Sequence, residues 1–106
     1  MQNITTYRIH VGGRYGSASP NAGEIIPEFA ATVEDIVSAQ LQGATVLYGT
    51  GIWEHETEPV AVIEVVDLPD VNNMPGINTI ITTLAEVFQQ DSIMLTRSFG
   101  EVEFRP

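Results

Sequence analysis

The chain has 106 residues, with 14 Asp and Glu against four Arg and no Lys, for a net charge of −10. This length accommodates one domain, and 43% hydrophobic against 17% charged residues suits a packed core rather than a disordered chain. Arginines at 8, 14, 97 and 105 alone cannot build the basic face that nucleic acid or an anionic membrane requires, and the absence of cysteine excludes disulfides, thiol catalysis and Cys-type zinc sites.

Residues 4 to 11 place Tyr7, Ile9 and Val11 on one parity, as a half-buried strand does. A loop from Gly12 to Gly23 follows, twelve residues with four glycines, and its length suggests either a functional loop or a mobile surface one. From about Ile26 to Leu41, the apolar positions Phe29, Val33, Ile36, Val37 and Leu41 recur at helical spacing, with Pro27 suited to the first turn and Gly43 to the end. Ala44 to Trp53 and Pro59 to Val66 are rich in β-branched and aromatic residues and read as a hairpin around the polar segment Glu54 to Glu58. Ile77, Ile80, Ile81, Leu84, Val87 and Phe88 spell a second helix, begun after Pro75-Gly76 and ending near Gln90. Ser92 to Ser98 is a fourth strand, and Gly100 to Arg105 an edge or tail.

The order β-α-β-β-α-β predicts an α+β fold of ferredoxin-like type over residues 1–106. Right-handed crossovers place both helices on one face of an antiparallel sheet ordered 4-1-3-2. In the third strand both parities are apolar, Val60 and Val62 on one side and Ala61, Ile63 and Val65 on the other. Two helices cover one face only, so a second copy of the chain is expected over the other, most economically in a homotrimer with clefts between subunits. The segment Met1 to Thr6 has neither a basic nor an apolar leader character, and no apolar run approaches a membrane span, so a cytoplasmic location is expected.

Chemistry-bearing residues are few. His10 and His55 lie far apart, and alternation sends His55 to one side of the hairpin and Glu54 and Glu56 to the other, so no metal site is assigned. The glycine loop lacks the Gly-Lys-Ser/Thr of a phosphate cradle, although its backbone and Tyr15, Ser17 and Ser19 could approach a nucleoside or carboxylate. Glu64 interrupts an apolar strand and must be solvated, used, or paired with Arg8 or Arg97. Glu58, at the entrance to the third strand with Trp53 and Tyr48 on the neighbouring one, suits a cation by charge and by cation–π contact; core packing is the other fate open to Trp53. The negative charge favours a cationic or zwitterionic small ligand, or serves solubility alone.

The string Gln90-Asp91-Ser92-Ile93-Met94-Leu95, entered from Val87-Phe88-Gln89, resembles the small bacteriophage enzymes that degrade S-adenosylmethionine (SAM). The likeness extends to Gly51-Ile52-Trp53 followed by the acid Glu58, and to an opening strand backed by a small-residue loop. A set of uncharacterised bacterial domains shares the pattern of Thr45-Val46, Gly51, Trp53, Glu58 and a late Gln-Asp/Glu-Ser run. The first resemblance implies a cofactor-free lyase that converts SAM to 5′-methylthioadenosine and L-homoserine lactone, a phage anti-restriction activity in the host cytoplasm, carried by a trimer or monomer of this fold. It also implies roles for particular residues. Glu58, or alternatively Glu64, would be the acid at the substrate's ammonium or sulfonium. Trp53 stands where the family has a tyrosine, and Tyr48 is the candidate to supply the missing hydroxyl. Val11, Gly12, Gly13 and Arg14 through their main chain, and Tyr15 or Ser17 through side chains, would hold the adenosine or the carboxylate. The alternative from another class is a ferredoxin-like regulatory trimer that binds nucleotides in its clefts without turning them over, which the lack of lysine disfavours for phosphate-rich ligands.

Overall fold

The computed structural model describes residues 1–106. The elements are β1 (Gln2–Gly12), α1 (Phe29–Ser38), β2 (Thr45–Trp53), β3 (Glu56–Asp67), α2 (Met74–Val87) and β4 (Met94–Val102). The strands form one sheet in the order β2-β3-β1-β4, every pair antiparallel. This is the expected ferredoxin-like βαββαβ topology.

The core lies between the sheet and the helices. Tyr7, Ile9 and Val11 of β1 and Ala61, Ile63 and Val65 of β3 meet Phe29, Val33 and Val37 of α1 and Ile77, Ile80 and Leu84 of α2. Phe88, just past α2, is fully buried and packs on Phe29 with ring centroids 5.6 Å apart. The central strands β1 and β3 therefore carry the buried alternation, and the edge strands β2 and β4 are almost wholly exposed. No helix is long and apolar enough to cross a membrane.

Several boundaries differ from the sequence expectation, each for a local reason. Helix α1 starts at Phe29 rather than Ile26 because the Ile26 amide donates to the Gly13 carbonyl and Ile25 bridges Arg14. A residue before proline is also biased away from helical backbone, which leaves Pro27 in the preceding turn. Helix α2 starts earlier, with Pro75 inside its first turn. Buried Asp67 anchors that start by accepting from the Asn73 amide at 3.2 Å and from Asn73 Nδ2 at 2.6 Å. Strand β4 begins at Met94 instead of Ser92 and continues past Gly100 to Val102, paired with Gln2.

Pairing of Trp53 with Glu56 reduces the β2–β3 connection to the two residues Glu54 and His55, with φ of 48° and 67°. Positive φ at both positions is the mark of a type I′ turn, a backbone that favours Asn-Gly and strains ordinary side chains. Replacing Glu54-His55 by Asn-Gly should therefore raise stability by about 1 kcal/mol. An unchanged or lower urea midpoint would show that the turn carries no such strain.

Candidate active site

Residues paired across the sheet share a face. Glu58, Val60, Val62 and Glu64 of β3 lie opposite Gly51, Gly49, Leu47 and Thr45 of β2. Val60, Val62 and Glu64 also lie opposite Gly12, His10 and Arg8 of β1. Met94 of β4 joins this row beside His10. Neither helix covers this face, and Leu47, Met94 and Trp53 are at least half exposed on it.

The two acids on that face have different surroundings. Glu64 is ion-paired to Arg8, with Nε to Oε2 at 2.9 Å. Arg97, the other expected partner, lies instead against the Tyr7 ring, 6.0 Å from its centroid. Glu58 stands six residues away, about 20 Å along the strand at about 3.3 Å per residue, and accepts no side-chain hydrogen bond. Its carboxylate lies over Gly12, where a Cβ would stand 2.7 Å from Oε1. A side chain at this position would push the flexible end of Glu58 aside, so the bare glycine leaves the carboxylate its place.

Glu58 lines two adjoining clefts. One, of about 390 Å³, is bounded by His10, Gly12, Val60, Val62, Ser92 and Met94. The other, about 80 Å³, is bounded by Arg14, Trp53, Glu56 and Thr57. Trp53 shares the open face and is 75% exposed, so its ring is available to a ligand instead of being spent in the core. An unpaired carboxylate beside an indole face forms an attractive seat for an organic cation. A larger depression, about 550 Å³, opens at the far end of the sheet, but its one acid, Asp67, is already committed to Asn73. A carboxylate shared by two adjoining clefts beside the exposed Trp53 makes the Glu58 clefts the stronger candidate.

The loop from Gly12 to Gly23 is tied down at many points. The Gly13, Tyr15 and Gly16 amides donate to the carbonyls of Pro59, Glu24 and Phe88. Arg14 donates to the Gly23 carbonyl at 2.7 Å and the Thr57 carbonyl at 2.9 Å, joining the loop to the hairpin arm. Gln90 Nε2 donates to the Gly12 carbonyl at 2.9 Å and the Arg14 carbonyl at 3.0 Å. Ser17 donates to Asp91 at 3.3 Å, and Tyr15 packs against the core. The amides of Gly13, Tyr15 and Gly16 are thus used by the fold. A carbonyl oxygen keeps a second lone pair, so the main chain here offers acceptors, which suit an ammonium or hydroxyl better than a carboxylate.

Tyr48 does not join this constellation. It pairs with Ala61, whose side chain is in the core, and its hydroxyl donates to the Glu34 carboxylate of α1, with the Ala30 carbonyl 3.3 Å away. It therefore stands on the helix-bearing face, opposite Glu58 and Trp53. Val11 likewise points into the core, 2% exposed. Partial burial against α1, then the hydrogen bond and the charge of Glu34, push the Tyr48 phenol up to about 12 from 10. The neutral phenol is the form that the fold favours, so its contribution is complete below pH 10 and is lost as pH rises towards 12. Tyr48→Phe should cost about 1 kcal/mol at pH 8. Urea titrations should show the gap between the proteins closing over that alkaline window; a constant gap would contradict the assignment.

Gln90 and Asp67 were not expected to bear on loop and helix placement. The spacing carries no signal for Gln90, which acts on residues 76 and 78 positions away.

Two solved structures share this fold. One is a phage SAM lyase in complex with S-methyl-5′-thioadenosine, with a TM-score of 0.65 and 18% identity over 90% of this chain and 80% of that one. The other is a phage SAM lyase in the apo state, with a TM-score of 0.66 and 19% identity over 90% of this chain and 79% of that one. The chain has the fold of a phage SAM lyase. No family model and no curated protein matches it. The likeness in fold extends along nine-tenths of this chain.

Proposed function

We propose that this protein is a SAM lyase that converts SAM to 5′-methylthioadenosine and L-homoserine lactone. The observation that carries the proposal is the fold shared with a phage SAM lyase holding S-methyl-5′-thioadenosine, which is the thioether such a reaction releases. The unpaired Glu58 beside exposed Trp53 supports it, because the substrate is a sulfonium that also bears an ammonium.

The reaction asks little covalent chemistry of the protein. A carboxylate oxygen of the substrate attacks its own Cγ, the Cγ–S bond breaks, and the electron pair stays on sulfur to give a neutral thioether. No proton moves and no water enters. Folding the methionyl chain so that oxygen faces Cγ opposite to sulfur supplies most of the acceleration. Excluding water assists, because the carboxylate and sulfonium charges cancel on the way to the transition state. Glu58 is assigned to the substrate's cationic end and Trp53 to a cation–π contact on it. Arg14, whose Nη1 and Nη2 are held by the Gly23 and Thr57 carbonyls, is kept by the fold from pairing with the substrate carboxylate through those groups.

The uncovered apolar face, with Leu47, Val60, Val62 and Met94, supports a homotrimer that closes the clefts from above. Consumption of the methyl donor in the host cytoplasm gives the anti-restriction role. Purified protein incubated with SAM in H₂¹⁸O decides the chemistry by chromatography and mass spectrometry. The proposal expects methylthioadenosine and lactone, with no label at the homoserine γ-oxygen. Intact SAM refutes catalysis and leaves a binding protein of the regulatory type; γ-labelled homoserine replaces the lyase with a hydrolase.

A further inference from the structure

We propose that Gln90 is a positioning residue for Glu58: its side-chain amide holds the glycine turn that forms the floor beneath the Glu58 carboxylate. The inference rests on the lyase proposal for its catalytic consequence, but the holding of the loop stands on geometry alone.

Gln90 lies just beyond α2 and is half-buried. One nitrogen, Nε2, reaches two carbonyls, Gly12 at 2.9 Å and Arg14 at 3.0 Å, one on each side of Gly13. An amide NH₂ has two hydrogens, so both bonds can form at once, and no residue with a single donor hydrogen could make them. The two carbonyls belong to the residues that flank Glu58. Gly12 lies directly under its carboxylate, and Arg14 lines the small cleft with it. Gln90's own backbone is fixed in turn: its amide donates to Ala85, and Gly16 packs so closely on this corner that a Cβ would fall 2.8 Å from the Gln90 Cα. A rigid helix end thereby sets the height of the loop, and the loop sets where the carboxylate rests. Displacement by about 1 Å at a reacting site costs up to about 100-fold in rate.

Gln90→Met keeps the length of the side chain and removes both donors. Gln89→Met is the control, since Gln89 Nε2 bonds only within its own helix end, to the Glu86 carbonyl. Amide hydrogen exchange is read at Gly13, Tyr15 and Gly16. Gln90→Met should speed exchange there by about 10-fold or more, with core amides of α2 unchanged, and Gln89→Met should not. In the SAM assay, Gln90→Met should lower kcat by about 10- to 100-fold with KM moved less than threefold. Unchanged loop exchange overturns the holding role. Activity that falls only in step with the unfolded fraction overturns the positioning role. An inactive wild type overturns the lyase proposal and with it the catalytic consequence, and the exchange data still decide what Gln90 holds.

Discussion

Glu58→Gln is expected to lower SAM turnover by about 100- to 1,000-fold while leaving the melting temperature close to that of the wild type. The substitution keeps shape and removes one negative charge. Little stability should follow, because the Glu58 side chain has no hydrogen-bond or ion-pair partner in the fold. A cationic substrate, by contrast, loses its counter-charge in the cleft. The same change at Glu64 separates the two acids. It breaks the Arg8 pair, whose side chains are 41% and 30% exposed, so solvent screening holds the loss to under about 1 kcal/mol. Turnover in Glu64→Gln should remain within about threefold of the wild type. Steady-state rates and thermal melts of both variants check this, and a greater loss of activity at Glu64 would transfer the substrate's counter-charge to it.

Gly16→Ala should be the most damaging single methyl in the molecule. A Cβ at Gly16 would lie 1.9 Å from the Gln89 carbonyl oxygen and 2.7 Å from its carbonyl carbon. Both are backbone atoms at the end of α2, next to Phe88, which is fully buried, so neither can yield as a flexible side chain would. The loop must lift away, losing the Gly16 to Phe88 hydrogen bond of 3.0 Å and loosening the adjoining Gln90 contacts. We expect a loss of about 3 kcal/mol in urea unfolding, together with a fall in turnover. Gly23, where a Cβ meets nothing within 4 Å, differs in kind: its φ of 82° strains other residues, but no packing is lost. Gly23→Asn should cost under about 1 kcal/mol because asparagine tolerates this backbone. Equal losses at the two positions would show that close packing at Gly16 is not the cause.

Legibility in the sequence followed the range of the interactions. Apolar periodicity is a local property, and it was sufficient for every strand and helix and, through the handedness of crossovers, for the sheet order. Helix ends were less legible, because the start of α1 depends on the Ile26 amide reaching Gly13, and the start of α2 on Asp67 reaching Asn73. Within the site, Glu58 and Trp53 sit on the open face as strand alternation requires. Tyr48 lies one parity away from that row, which could have been counted from Gly51, Gly49 and Leu47 once the open face of β2 was known.

By itself the sequence determined a small acidic βαββαβ domain with one helix-covered face, because burial and alternation are written in neighbouring residues. It offered Glu58 as the acid at the strand entrance and Glu64 as the competing choice, with Arg8 and Arg97 both open as partners for Glu64. Only the tertiary structure separated them, by bringing Arg8 from 56 positions away to neutralise Glu64 and setting the Glu58 carboxylate over Gly12 with no partner. Only the tertiary structure, likewise, joined Gln90 to the glycine loop, since contacts between distant segments depend on the assembled sheet and not on spacing along the chain.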